Sequence, residues 1–543
     1  MKKIIIFLVL LSTINLFANA NDTIRFTWRT WKYGDFKIIA TSGERYTVNW
    51  GDNITDTMTG TGYRQEAFHI YADTGTYDVV TTGISANCLF THLDCSEQYV
   101  LTIDVQASTA LESLMCVSNQ LTELDVAANV TLKYLECSNN SLTSLNISKN
   151  TELRLLSCSE NQLTELDISK NTELTDFNCS ENQLTSLDIT KNTKLLHFYC
   201  AINQLTALDI SANTKLAYLY CLDNQLTQLD VSKNTELTNL SCRTNQLTSL
   251  DVTKNTKLTD LSCERNLLTT LNMGANTALM SFHCDNNQLT KLNLSACTAL
   301  DFFECYNNQL TELNLSACTT LISFDCSDNQ LTKLILPANA KIRALACENN
   351  HLPLSDLFAA SEITTATIKF LGEQNLLTIT AGIGEELFKE QSVFKEIHTD
   401  YVVTQNGNSA FENDYTITDG KLVFNTLGNY TVTMTNNAIV SHKESPAKVI
   451  VDIEVSNVGV EQLRITNYEL QVYPNPTTGE LRLQSYELQV NDVEIYDVMG
   501  CNVGAYPCGR PETTIDISHL SNGIYFMKVK TTEREIINKV VKY

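Results

Sequence analysis

The run LRLLSCSENQLTELDISKNTE, residues 153–173, is one copy of a unit that recurs with a constant step. Cysteines stand 21 residues apart from Cys95 through Cys116, Cys137 and Cys158 to Cys347. An asparagine follows three places after the cysteine from Asn119 to Asn350, and a leucine five places after it from Leu121 to Leu352. The unit reads L-x-x-L-x-C-x-x-N-x-L-T-x-L-D-x-S-x-N-T-x, and about twelve copies fill residues 88–352. One coil of this length cannot bury its own leucine row, but stacked coils bury a continuous one. In L-x-x-L-x-C the alternate residues point inward, as in a strand of period two. Each coil therefore adds one short parallel strand, and twelve such rungs at ~4.8 Å extend roughly 58 Å. The repeated asparagine has the right chemistry to pair backbone groups of the next coil that would otherwise be buried without partners. The second half-unit, such as Leu163 to Ile168, also alternates and is expected to form a second short strand on the opposite wall.

This string resembles the leucine-rich-repeat family in its short form with a cysteine ladder, similar to internalin J-type surface adhesins. The resemblance implies a curved solenoid that binds partners through its concave sheet. The expected fold class is mainly β: a leucine-rich-repeat solenoid of parallel rungs flanked by β-sandwich domains.

Thirteen cysteines align on one inward column, and an odd number cannot pair completely. They read as small apolar fillers in the core. One thiol per rung does not supply a tetrahedral metal set, so no metal is expected. Cys297 and Cys318 replace the second asparagine column, where Asn255 and Asn276 stand before them. Their neighbouring rungs make a disulfide conceivable, but they read as unpaired. Cys501 and Cys508 could close a small loop.

The outward positions lie one and three places before each cysteine and one after it. They carry Tyr134, His197, Tyr199, Tyr218, Tyr220, His283, Phe302 and Tyr306, with acidic Asp176, Asp260, Asp285, Glu304 and Asp325 among them. Adjacent tyrosines are candidate binding anchors for a protein or a glycan, because a stiff amphipathic ring buries much area at little entropic cost. The competing reading is cross-strand ring packing that merely shields the sheet.

Lys2 and Lys3, an apolar run from Ile4 and the small-x-small site Ala18-Asn19-Ala20 make residues 1–20 a secretory signal peptide. No later segment reaches ~18 apolar residues, so no transmembrane span is expected in the mature chain. Residues 21–87 carry Trp50-Gly51-Asp52, His69-Ile70-Tyr71 and Gly75-Thr76-Tyr77. They resemble the PKD-like β-sandwich family, with Asn53 where a glycine is usual. Trp50 and Tyr77 read as core, and the domain reads as a cap on the open solenoid end. Residues 353–456 lose the period. Tyr415–Thr418, Asp419-Gly420 and Lys421–Phe424 form a hairpin signature, read as part of an immunoglobulin-like sandwich, with a short helix from Leu354 to Ala360 leading in.

Residues 457–471 read as a linker. Residues 472–543 carry Tyr473-Pro474-Asn475-Pro476, Asp497-Val498-Met499-Gly500, Leu520-Ser521-Asn522-Gly523-Ile524-Tyr525 and a basic end with Lys539 and Lys542. This resembles the type A C-terminal sorting domain of type IX secretion. The resemblance implies handling by the type IX machinery and passage through the periplasm and outer membrane to the surface or medium.

Lys and Arg total 38 against 62 Asp and Glu, a net charge of −24, which disfavours nucleic-acid binding. The eight histidines form no H-E-x-x-H, and neither G-x-S-x-G nor a phosphate loop is present. No cofactor and no catalytic residue is expected. The sequence thus points to an exported, non-catalytic binding or adhesion protein with an unidentified extracellular protein or glycan partner. The alternatives are a surface-coat or spacer protein without a specific ligand and, last, an atypical secreted hydrolase.

Overall fold

Each 21-residue step ends in a three-residue strand just before its cysteine, as in Tyr134–Glu136, Leu155–Ser157, Asp176–Asn178, His197–Tyr199 and Tyr218–Tyr220. The computed structural model describes residues 21–30, 32–338, 341–441, 445–456, 471–473, 480–484, 490–497, 502–507, 512–521, 523–531 and 535–542. The strands pair parallel and without offset, so Leu156 lies beside Phe177, Phe177 beside Phe198 and Phe198 beside Leu219. That column, the cysteines and the leucines five places on are buried. The result is a β-solenoid whose interior is built from repeated columns.

The repeated asparagine joins the rungs. Asn182 Nδ2 donates to the carbonyls of Cys158 at 3.0 Å, Cys179 at 3.2 Å and Ser180 at 3.2 Å, and its Oδ1 accepts the Leu163 N–H at 3.0 Å. The same four bonds recur around Asn140, Asn161, Asn203 and Asn224. A second asparagine column is simpler: Asn192 Nδ2 donates to Ile168 O at 3.1 Å and Asn171 O at 2.9 Å. Cys297 and Cys318 take over this column as buried free thiols, and Cys95 to Cys347 are free and buried too. The opposite wall is only intermittently a sheet: Ser249–Asp251 pairs with Thr270–Asn272, and Glu312–Asn314 with Lys333–Ile335.

Both ends of the ladder are covered by chain that the period does not announce. At the first end, Phe90–Asp94 pairs parallel with Ser113–Met115 and antiparallel with Tyr33–Ala40, which pairs in turn with Gln65–Ile70. A second sheet runs Thr55–Thr59, Arg45–Asn49, Gly75–Gly83, Thr23–Thr30, Val100–Asp104. It therefore reaches beyond residue 87, because Val100–Asp104 pairs with Thr23–Thr30. Phe26, Trp28, Phe36 and Trp50 are buried there. Trp28 Nε1 donates to Tyr71 Oη at 3.1 Å, and Tyr71 Oη donates to Trp50 O at 3.0 Å. Tyr77, expected in the core, is half-buried: it stacks on Tyr71 at 4.0 Å and donates its hydroxyl to Asp73 O at 2.9 Å. Asn53 has φ 70°, the left-handed backbone that a glycine adopts freely.

At the other end, Ile368–Phe370 pairs parallel with Ala344–Ala346, one rung past residue 352. Leu371, fully buried, stands in the cysteine place. Gln374 stands in the asparagine place, with Nε2 donating to Cys347 O and Leu371 O at 2.8 Å each and Oε1 accepting the Leu352 N–H at 3.2 Å. The helix Leu354–Ser361 between these rungs buries Leu354, Leu357 and Ala360. Beyond it, one sheet contains Glu373–Asn375, Pro446–Ser456, Gly428–Val440, Asp400–Gln405 and Asn408–Ser409; another contains Glu386–Leu387, Lys421–Phe424 and Tyr415–Thr418. The Asp419-Gly420 turn has φ values of 52° and 72°, as a two-residue hairpin of this kind requires.

The C-terminal unit has one sheet of Gln471–Tyr473, Glu480–Gln484 and Glu512–Asp516, and another of Asn502–Pro507, Val490–Asp497, Gly523–Thr531 and Glu535–Lys542. Val493, Ile495, Ile515, Ile517, Met527, Val529 and Val540 form its core. The signal peptide, residues 457–470 of the linker, and Pro474, Asn475, Pro476, Gly500, Cys501 and Cys508 lie outside the described residues.

Every rung pays one local strain. The residue two places after the cysteine, from Ser118 to Asn349, has φ between 51° and 56°, and none of them is glycine. Ile202, β-branched and 47% exposed, suits that backbone least. Replacing Ile202 with Gly is expected to raise stability by about 0.5–1 kcal/mol, read as a higher urea midpoint. A lower midpoint would contradict the strain argument.

Candidate functional site

Alternation sends the residues one and three places before each cysteine to the outside, and the unshifted register stacks like positions into columns. One column contains Asp176, His197, Tyr218, Asn239 and Asp260; the neighbouring one contains Asn178, Tyr199, Tyr220, Ser241 and Ser262. The columns bring His197, Tyr199, Tyr218 and Tyr220 into one cluster. Tyr199 and Tyr220 stack with centroids 5.2 Å apart and planes 17° apart, and His197 meets Tyr218 edge-on at 5.0 Å. His197 Nδ1 hydrogen-bonds Asp176 Oδ1 at 2.5 Å. Asn239 Nδ2 donates to Asp260 Oδ2 at 3.0 Å just beyond.

The ring packing leaves these side chains half-buried rather than freely exposed. Burial, and then the neighbouring tyrosines, push the Tyr199 phenol above its ordinary range, and burial does the same to Tyr220. Both rings are therefore fixed, neutral hydrogen-bonding platforms. Beside them, Glu136, Leu155, Ser157, Asp176, Asn178 and Tyr199 line a shallow groove of about 280 Å³. Ser157, Asn178 and Asn239 were not singled out in the sequence, although they occupy the same outward positions.

The other expected residues lie elsewhere on the face. Tyr134 is exposed, with Leu155 separating it from Asp176 in its column. Phe302 lies four rungs past Tyr218 in the same column and is exposed. His283 and Tyr306 form a second group around Asp285. His283 Nδ1 hydrogen-bonds Glu304 Oε2 at 3.1 Å and its Nε2 faces Ser281 Oγ at 3.1 Å. The bond to Glu304 holds the His283 proton above the usual range, and the same bond holds the Glu304 carboxyl below its own. Burial and the Asp285 carboxylate raise the Tyr306 phenol.

Of the tail residues, Gly523 opens the strand Gly523–Thr531 and Lys539 lies on Glu535–Lys542. Tyr525 is buried and donates its hydroxyl to Ser521 O at 2.8 Å. Lys542 is buried as well, its ammonium donating to Ser518 O at 2.8 Å and to Leu520 O. Lys542 thus ties the last strand to the turn before Gly523.

The cysteine rungs, asparagine ties and leucine columns define a leucine-rich-repeat solenoid. Residues 471–543 match the secretion system C-terminal sorting domain. That tail marks the chain for handling by the type IX machinery and export to the cell surface or extracellular space. Similar solved structures include the functional domain of InlJ from Listeria monocytogenes, which includes a cysteine ladder (26% identity, TM-score 0.47, 69% of this chain and 93% of that one). A leucine-rich-repeat protein of Leptospira interrogans is another (20% identity, TM-score 0.44, 52% and 77%). YopM from Yersinia enterocolitica is a third (24% identity, TM-score 0.39, 48% and 61%). No curated protein matches the sequence. Among the described residues, no helix is long and apolar enough to cross a membrane.

A chain truncated after residue 470 is expected to accumulate in the periplasm, read by cell fractionation and surface labelling. Normal surface display of the truncated chain would contradict the sorting role of the tail.

Proposed function

We propose that the protein is an exported, non-catalytic binding or adhesion protein. It recognises an extracellular protein or glycan through the outward columns of its solenoid, centred on His197, Tyr199, Tyr218 and Tyr220. The observation that carries this reading is the Tyr199–Tyr220 stack beside a shallow groove with both polar and apolar walls. Rings already packed against each other lose little freedom when a partner covers them, so more of the contact energy becomes affinity. Asp176, Asn178 and Asn239 supply carboxylate and amide groups next to the rings, which suits hydroxyl-rich or peptide surfaces. Tyr134, His283, Phe302 and Tyr306 extend the surface along the ladder.

Screening the full chain against immobilised glycans and extracellular proteins tests the reading. Saturable binding is expected. Replacing Tyr199, Tyr218 and Tyr220 together with Ala is expected to weaken it by roughly 100-fold or more, as the loss of central aromatic anchors does. The variant should keep the wild-type circular dichroism spectrum. Binding unchanged in the variant would remove this patch, and no saturable binding at all would favour a surface-coat or spacer role.

A further inference from the structure

The second group on the outward face has a different character from the tyrosine cluster. His283, Asp285 and Glu304 come from two adjacent rungs, and one potential ligand atom from each lies within 4.8 Å of the others. Asp285 is 2% exposed, an unusual burial for a carboxylate, and its contacts are neutral: Asn286 Nδ2 donates to Oδ2 at 2.6 Å, and the Tyr306 hydroxyl bonds it too. Glu264 stands one rung back in the same outward column as Asp285. Its Oε2 is buried without a hydrogen-bond partner, and the Arg243 guanidinium is no nearer than 3.8 Å to its Oε1.

We propose that His283, Asp285 and Glu304 bind a divalent transition-metal cation on the outward face of the ladder. An imidazole nitrogen among carboxylates selects zinc or manganese over calcium and magnesium, which prefer all-oxygen sets. Ligand atoms around such a cation sit about 3.4 Å apart at bond lengths of about 2.1 Å, so a cluster whose atoms lie within 4.8 Å must close by up to about 1.4 Å. Glu304 has the freedom to do so, since its side chain is 47% exposed. Three protein donors leave room for an outside ligand, so the cation would place a Lewis-acidic point on an otherwise acidic surface.

Calorimetric titration of the metal-free full chain with zinc chloride, and separately with manganese chloride, tests the site without reference to any macromolecular partner. One saturable equivalent is expected that His283→Gln weakens by at least about 10-fold, with Glu304→Gln behaving alike. The metal should also raise the melting temperature of the wild type more than that of either variant, both of which are expected to fold. Glu304→Gln alters a half-exposed side chain, so it remains informative if His283→Gln misfolds. The proposal is overturned if the wild type binds neither metal saturably, if both variants bind as the wild type does, or if calcium binds more tightly than either metal.

Discussion

The structure depends on the amide that follows each cysteine. Stacking rungs buries carbonyls and N–H groups in turns where no regular ladder can pair them. A single asparagine resolves this by donating to three carbonyls and accepting one N–H, two of the four bonds reaching the preceding rung. The geometry tolerates no slip, because the same atoms must meet at every step, so the side-chain columns inherit a constant register. The second asparagine column is a weaker device. Its Nδ2 groups donate, but the Oδ1 atoms of Asn129, Asn150, Asn171, Asn192, Asn213, Asn234 and Asn255 have no hydrogen-bond partner. Among the described residues of the column, only Asn276 has a backbone donor, the Gly274 N–H, on that oxygen. The column can therefore yield to cysteine at Cys297 and Cys318, whereas the first column keeps asparagine from Asn119 to Asn350 and then passes to Gln374, which reproduces three of the four bonds.

A fixed interior leaves the exterior free to vary. The inward cysteines are small enough for the columns to close around them, and burial pushes the Cys95 and Cys137 thiols up to about 12, far from the thiolate form that exchanges or oxidises. A chain exported through oxidising compartments can thus carry free thiols in its core. On the other side of the same strands, chemistry changes along the ladder. Stacked tyrosines occupy the rungs of Cys200 and Cys221, and a carboxylate-rich histidine group occupies those of Cys284 and Cys305. Rungs three steps apart thereby present two kinds of surface on one scaffold.

Much of this was legible in the sequence because a constant step converts one dimension into three. Once Cys116 and Cys137 stack, Tyr199 and Tyr220 must stack too. The closing rung was not legible: Leu371 follows Cys347 by 24 residues, and the intervening helix hides its identity. The pairing of Val100–Asp104 with Thr23–Thr30 was equally hidden, since antiparallel partners far apart in the chain leave no local mark. The half-burial of the tyrosines reflects ring-on-ring contact, the cross-strand packing that the sequence offered as the competing reading. The meeting of His283, Asp285 and Glu304 depends on side-chain direction across two rungs, and no linear metal motif records it. The left-handed turn residue also escaped notice, because residues as different as Glu160, Ile202 and Arg265 occupy it.

The most direct test of the amide account is Asn182→Asp, compared with the wild type by urea denaturation. The substitution preserves size and can still accept the Leu163 N–H, but it turns a donor into an acceptor facing three carbonyls. The account predicts a loss of about 3 kcal/mol or more, because buried acceptors lose their partner and meet a carboxylate. A loss within about 0.5 kcal/mol, the range of an ordinary surface substitution, would contradict it.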